Sequence, residues 1–175
     1  MKKIFIVLLI AFSFSSCEKD DICDANTPTT PRLIIDFYDI ENPSETKNVT
    51  NLLLVGTGGD PKGILFKSDS KIQVPLKLTE NSTEYTFTLN SGNSNPSLIY
   101  TDILQFNYSQ KTVYVSRACG YKTLFDLNND TDSTTPNPFV LNNDPNKIIG
   151  NWIYLITVTK YAIETENETH LKIYF

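Results

Sequence analysis

One histidine, three cysteines and a scatter of carboxylates carry whatever chemistry this 175-residue chain can perform. His170 is the only imidazole, so any Ser-His-Asp or Cys-His device has to use it as the base. No Gly-x-Ser-x-Gly turn offers a nucleophile. Alternation at the end of the sequence predicts a strand with Leu171, Ile173 and Phe175 on one face. His170, Lys172 and Tyr174 would then lie on the other, pointing outward. No catalytic residue is assigned. Carboxylate-pair glycoside hydrolysis stays open, because two acids distant in sequence meet only in the fold. Asp126, Asn128, Asp130 and Asp132 stand at every second position, as the oxygen ligands of a calcium loop do. The sixth place from Asp126 is Thr131 rather than Gly, and the twelfth is Asn137 rather than Glu, so this reads as a solvated loop and no metal is assigned. Gly56, Gly58, Gly59 and Gly63 suggest a phosphate cradle, but Lys62 precedes Gly63 and Ile64 follows it where Gly-Lys-Ser/Thr is needed. A hairpin turn is expected there, and no cofactor. Tyr38, Tyr100, Tyr114, Tyr154 and Tyr174 could form a sugar-stacking platform, against the commoner role of strand tyrosines as half-buried packing.

The cysteines are more informative. Met1-Lys2-Lys3, an uninterrupted apolar run over residues 4–12 and Ser13-Phe14-Ser15-Ser16 before Cys17 make a secretory signal. The run is far short of the roughly 20 residues that span a bilayer. With small residues at the two positions before the cysteine, the segment resembles a bacterial lipoprotein signal, with Phe14 where such signals usually carry an aliphatic residue. The resemblance implies acylation of Cys17 on its thiol and amine, and two or three chains anchor stably where one does not. The alternative is an ordinary secreted protein cut elsewhere. Glu18-Lys19-Asp20-Asp21 follows, and Lys19, Asp20 and Asp21 look like the patch that sends lipoproteins of the Bacteroidota to the outer leaflet of the outer membrane; a solvated linker and a periplasmic-facing position form the alternative. Asp132-Ser133-Thr134 resembles an O-glycosylation acceptor of envelope proteins in the same group, with the sugar on Ser133.

Cys23 and Cys119 remain. An even number in an oxidising compartment suggests one disulfide, with free thiols as the alternative. A metal pair is disfavoured, since two lone cysteines and a distant His170 lack zinc-ligand spacing. Asp20-Asp21-Ile22-Cys23, Thr30-Pro31-Arg32-Leu33 leading into Phe37-Tyr38-Asp39, Arg117-Ala118-Cys119-Gly120-Tyr121 and the closing His170-Leu171-Lys172-Ile173-Tyr174-Phe175 are similar to an uncharacterised family of Bacteroidota lipoproteins known only as a domain of unknown function. That resemblance implies an envelope lipoprotein and supplies no activity.

These residues need a scaffold, and composition indicates which kind. The chain has four Ala against 20 Thr and is 11% aromatic, which is strand-forming usage. Residues 1–16 are read as the signal, 17–31 as an acidic and Pro/Thr-rich tether stiffened by Pro28 and Pro31, and 32–175 as one domain. Alternating runs over 33–38, 72–78, 85–89, 104–108 and 113–115 are separated by turn clusters at 56–61, 80–83, 91–96 and Ser109-Gln110. They predict an all-β fold, a single antiparallel β-sandwich with an immunoglobulin-like arrangement as one candidate. Residues 52–55, 64–66 and 121–127 are shorter strand candidates. Residues 148–161 are apolar on both strand faces and read as a central strand buried twice or the one helix, with β-branched content favouring the strand. The stretch 128–146 reads as polar loop.

Fifteen basic against twenty acidic residues exclude the cation excess that phosphate neutralisation requires, so nucleic acid is not an expected partner. Without the signal the balance becomes thirteen against twenty. The expected function is a non-enzymatic binding or assembly component held in the outer membrane through Cys17, facing the exterior, with a glycan or an outer-membrane protein as partner. A small glycan-acting hydrolase is the alternative, and a ligand-free accessory subunit of a membrane barrel is a third.

Overall fold

The computed structural model describes residues 22–129 and 136–175. Cys17, Lys19, Asp20, Asp21 and Ser133 lie outside the described residues, as do Asp130 and Asp132. Among the described residues there are eleven strands and a 3₁₀ turn, Pro96–Leu98, arranged as two packed sheets. The smaller sheet joins β1 (Leu33–Tyr38), β4 (Lys71–Val74), β9 (Leu155–Val158) and β11 (Leu171–Tyr174) in the order β4-β1-β11-β9. The larger joins β2 (Val49–Gly56), β3 (Ile64–Asp69), β5 (Ser82–Leu89), β6 (Tyr100–Ser116), β7 (Gly120–Leu127) and β10 (Ala162–Ile163) in the order β10-β7-β6-β5-β2-β3, with β8 (Phe139–Leu141) pairing β6.

Sequence pattern explains most of this. In β5, Thr83, Tyr85, Phe87 and Leu89 face the core while Ser82, Glu84, Thr86 and Thr88 are half-exposed, the period-two signature of a sheet with one wet face. In the first half of β6 the inward set is Asp102, Leu104, Phe106 and Tyr108. β1 is buried from Leu33 through Phe37 because it lies between β4 and β11. Each fully enclosed Leu, Ile or Phe of this kind contributes roughly 1.5–3 kcal/mol, and Phe37, Phe87, Phe106, Leu54 and Leu104 are all at 0% exposure. Phe37, Trp152 and Phe175 close one end of the core, with ring centroids 5.4–6.3 Å apart.

Six expectations change. All the strand pairs are antiparallel except β1 with β11, which runs parallel from Ile35↔Leu171 to Tyr38↔Tyr174. Residues 148–161 do not form a central strand: Ile148 and Ile149 are exposed, Trp152 and Ile153 are buried from a loop, and only residues 155–158 pair, as the edge strand β9. The apolar run is divided between two environments, which period counting cannot see. No turn forms at Ser109-Gln110; β6 continues through them, since both residues pair with β7. Within the polar stretch, residues 139–141 form β8, which completes the edge of β6 beside Leu104 and Phe106. His170 is not on an outer face. It precedes β11 and is 1% exposed. The run 72–78 also stops early: Pro75 lacks the N–H needed to continue β4, and Leu78 is exposed.

Candidate functional site

The larger sheet has an appendage. β5 flanks β6 only as far as Asn107, beyond Tyr108 β6 pairs with β7 alone, and past the β10 contacts at Phe125 and Asp126, from Lys111 on, the two strands form a ribbon. From Ser109 through Leu124 no residue is buried, so this ribbon draws little stability from the core. Its support comes from the tether. Cys23 is disulfide-bonded to Cys119 in the turn, with Cα atoms 4.8 Å apart, as the cysteine count predicted. At the base, the Thr123 N–H donates to Thr30 Oγ1 at 2.9 Å. Residues 23–30 are thus fastened to the ribbon at both ends, tip and base.

At the tip, Tyr114 and Tyr121 sit directly opposite each other in the ladder, with ring centroids 5.4 Å apart in an edge-to-face arrangement. They are 56% and 70% exposed. Between Asp102 and Asp126 there is no carboxylate, whereas Lys111, Arg117 and Lys122 lie in that stretch. Lys111 and Arg117 are exposed.

A groove of about 360 Å³ runs between the tether and the segment before β11, lined by Thr27, Pro28, Lys122, Glu164, Glu166 and Asn167 among others. Glu166 in its lining is held by Arg32 in a bidentate pair, Nε to Oε1 at 2.7 Å and Nη2 to Oε2 at 2.8 Å, and the Arg32 backbone N–H adds a third bond at 3.0 Å. The hydrogen bonds from Arg32 hold the Glu166 carboxyl below the usual carboxylate range, and the Arg32 guanidinium is raised in turn, chiefly by the same bond. A smaller hollow of about 230 Å³ lies between the ribbon base and Ala162, and includes Lys111, Phe125 and Asp126. Glu164 borders both.

The buried titratable groups are structural. Asp102, at 0% exposure, accepts four hydrogen bonds. Oδ1 takes Asn142 Nδ2 and the Asn151 N–H, both at 2.7 Å; Oδ2 takes the N–H groups of Trp152 and Ile153 at 2.9 and 3.1 Å. A strand of one sheet thereby fixes the loop that leads into an edge strand of the other. Trp152 Nε1 then donates to the Phe87 carbonyl at 3.3 Å. Asp36 accepts from Thr169 Oγ1 at 2.7 Å and faces Lys71 Nζ at 3.3 Å. His170 Nδ1 accepts the Ile34 N–H at 3.0 Å while the His170 N–H donates to the Ile34 carbonyl at 3.0 Å. The imidazole is therefore neutral with its proton on Nε2. Burial pushes its pKa down, Lys160 acts in the same direction, and Glu168 opposes them.

Sequence reasoning missed Asp102, although its signal was present: an acid on the inward phase of an alternating strand, with Leu104, Phe106 and Tyr108. The five tyrosines weighed as a platform do not converge. Tyr38 stacks with Tyr174 on the smaller sheet at 5.5 Å, with Lys172 Nζ 4.6 Å above the Tyr38 ring, whereas Tyr114 pairs with Tyr121 at the ribbon tip. Gly56, Gly58, Gly59 and Gly63 form the β2–β3 turn as expected. Among the described residues, no group of three or more His, Cys, Asp or Glu could hold a metal ion, and no helix is long and apolar enough to cross a membrane.

A family model described as a family of unknown function (DUF6452) matches residues 51–175. No curated protein and no solved structure matches the chain.

Proposed function

Because the chain belongs to DUF6452, a family of unknown function whose name assigns no activity, we propose from its own residues that it is an outer-membrane lipoprotein. Its anchor is the acylated Cys17, it faces the cell exterior, and it acts as a non-enzymatic binding or assembly component. The observation that carries this reading is the Cys23–Cys119 disulfide. Such a bond persists in an oxidising compartment, which agrees with the export signal, and it starts only six residues after Cys17. A binding role is further supported by the use of the interior acids: Asp102 and Asp36 are engaged by donors of the fold itself. A surface open to a glycan or an outer-membrane protein is the groove beside Glu166.

The test is metabolic labelling with a clickable fatty acid in a host that processes lipoproteins. The wild-type chain should be labelled and should float with membranes, and Cys17→Ala should lose both properties. A Cys17→Ala chain that keeps the label refutes the anchor. Protease added to intact cells should degrade the protein; full protection places it on the periplasmic side instead.

A further inference from the structure

We propose that the tip of the β6–β7 ribbon is a second membrane contact, with Tyr114 and Tyr121 seated in the lipid headgroup layer of the leaflet that holds the Cys17 acyl chains. The inference rests on the anchoring of Cys17 and adds an orientation to it.

Three observations carry it. The first is reach. Six residues of extended chain, from Cys17 to Cys23, span at most about 20 Å, and the disulfide adds 4.8 Å between Cα atoms. Without that bond, the tether's next attachment would be Thr30 at the ribbon base, giving the domain roughly twice the freedom to stand off or tumble. The disulfide instead ties the lipid-bearing end of the chain to the tip, so the ribbon is the part of the domain nearest the bilayer. The second is the character of the tip. Tyr114 and Tyr121 are a large amphipathic pair, more than half exposed, on an element with no core beneath it. Tyrosine favours the membrane–water interface, where the ring is shielded and the hydroxyl stays wet. Ile22, next to Cys23, is 82% exposed and adds to the patch. The third is charge. Glu18, Asp20, Asp21 and Asp24 would repel a phosphate surface, but Lys19 and the ribbon's Lys111, Arg117 and Lys122 balance them. The tip can therefore approach the headgroups without net repulsion, and Arg117, in the turn, is placed to pair with lipid phosphate.

The geometry also sets what stays away. β6 runs from Tyr100 to Ser116, so its far end, beside Leu98, stands about 50 Å of extended strand from the tip. The domain is held upright, with the β5–β6 connection pointing away from the bilayer.

The experiment uses the full lipidated chain in vesicles of phosphatidylethanolamine and phosphatidylglycerol doped with brominated phosphatidylcholine, which quenches tryptophan on contact. Trp152 is the only native tryptophan and is 4% exposed in the core, so its emission serves as the internal reference. Tyr121→Trp and, separately, Tyr114→Trp should add emission that is blue-shifted and roughly half quenched by the brominated lipid, as expected at an interface. Leu98→Trp should add emission that is red-shifted and unquenched. If the tip variants float with vesicles but their added emission is unquenched, or quenched no more than that of Leu98→Trp, the inference is overturned and the anchor stands. A wild-type chain that does not float overturns the anchor and the inference together.

Discussion

Removal of the Asp102 carboxyl tests the central structural claim, that this buried acid bolts the two sheets together. In Asp102→Ala four donors lose their acceptor. Asn142 Nδ2 and the Asn151 N–H are partly buried and can turn toward water. The Trp152 and Ile153 N–H groups are buried, and each buried donor left unsatisfied costs about 1–3 kcal/mol. The expected loss is therefore about 4 kcal/mol, a large share of the 5–15 kcal/mol typical of a whole domain. Gly150 supplies the control. A Cβ there would lie 2.6 Å from Asp102 Cγ and still closer to both carboxyl oxygens, so Gly150→Ala alone should cost about 1–3 kcal/mol by overpacking. In Asp102→Ala the obstructing atoms are gone, and the added methyl partly fills the space. The double variant should then be more stable than the sum of the singles predicts, by about the cost of Gly150→Ala. Equilibrium urea unfolding followed by Trp152 fluorescence measures all four chains, with the disulfide intact. A loss below about 1 kcal/mol for Asp102→Ala, or an additive cycle, would refute the reasoning.

Four further outcomes are expected. The folded-state pKa of His170 is depressed, so its contribution is complete above the ordinary histidine value of about 6.5 and is lost as pH falls from there toward the folded value; protonation also converts Nδ1 from acceptor to donor against the Ile34 N–H. Urea midpoints at pH 7.5 and 5.5 should show the fall, and His170→Asn should flatten it. The Glu166–Arg32 contribution is likewise lost on acidification, but only as pH falls below the ordinary carboxylate range. Reduction of Cys23–Cys119, 96 residues apart in sequence, should lower stability by about 4–5 kcal/mol through loop entropy, and amide exchange should rise first over residues 112–123; unchanged exchange there would contradict the ribbon's dependence on the tether. Gly63→Ala should destabilise more than Gly58→Ala. Both glycines have positive φ, +62° and +77°, but only Gly63 would bring a Cβ against the Leu54 carbonyl oxygen, whereas Gly58 has no neighbour within 4 Å; equal thermal midpoints would dismiss that contact.

Strand-forming composition and period-two alternation determined an all-β sandwich by themselves, because one wet and one dry face is a local property of a strand. The pattern of β5 was legible residue by residue. Cys23 and Cys119 are the two cysteines that follow Cys17, and the even pair suggested the one disulfide that the structure contains. The tertiary structure decided what depends on partners distant in sequence. His170 is turned inward by an N–H of Ile34, 136 residues away, and no periodicity encodes that bond. Asp102 is tolerated in the core only because Gly150 leaves space for its carboxyl and the loop after it offers three backbone donors. β6 runs on through Ser109 and Gln110 because β7 pairs with them beyond the edge of the core. Strand formation follows from adjacent side chains, whereas burial of a polar group follows from whichever donors the rest of the chain brings to it.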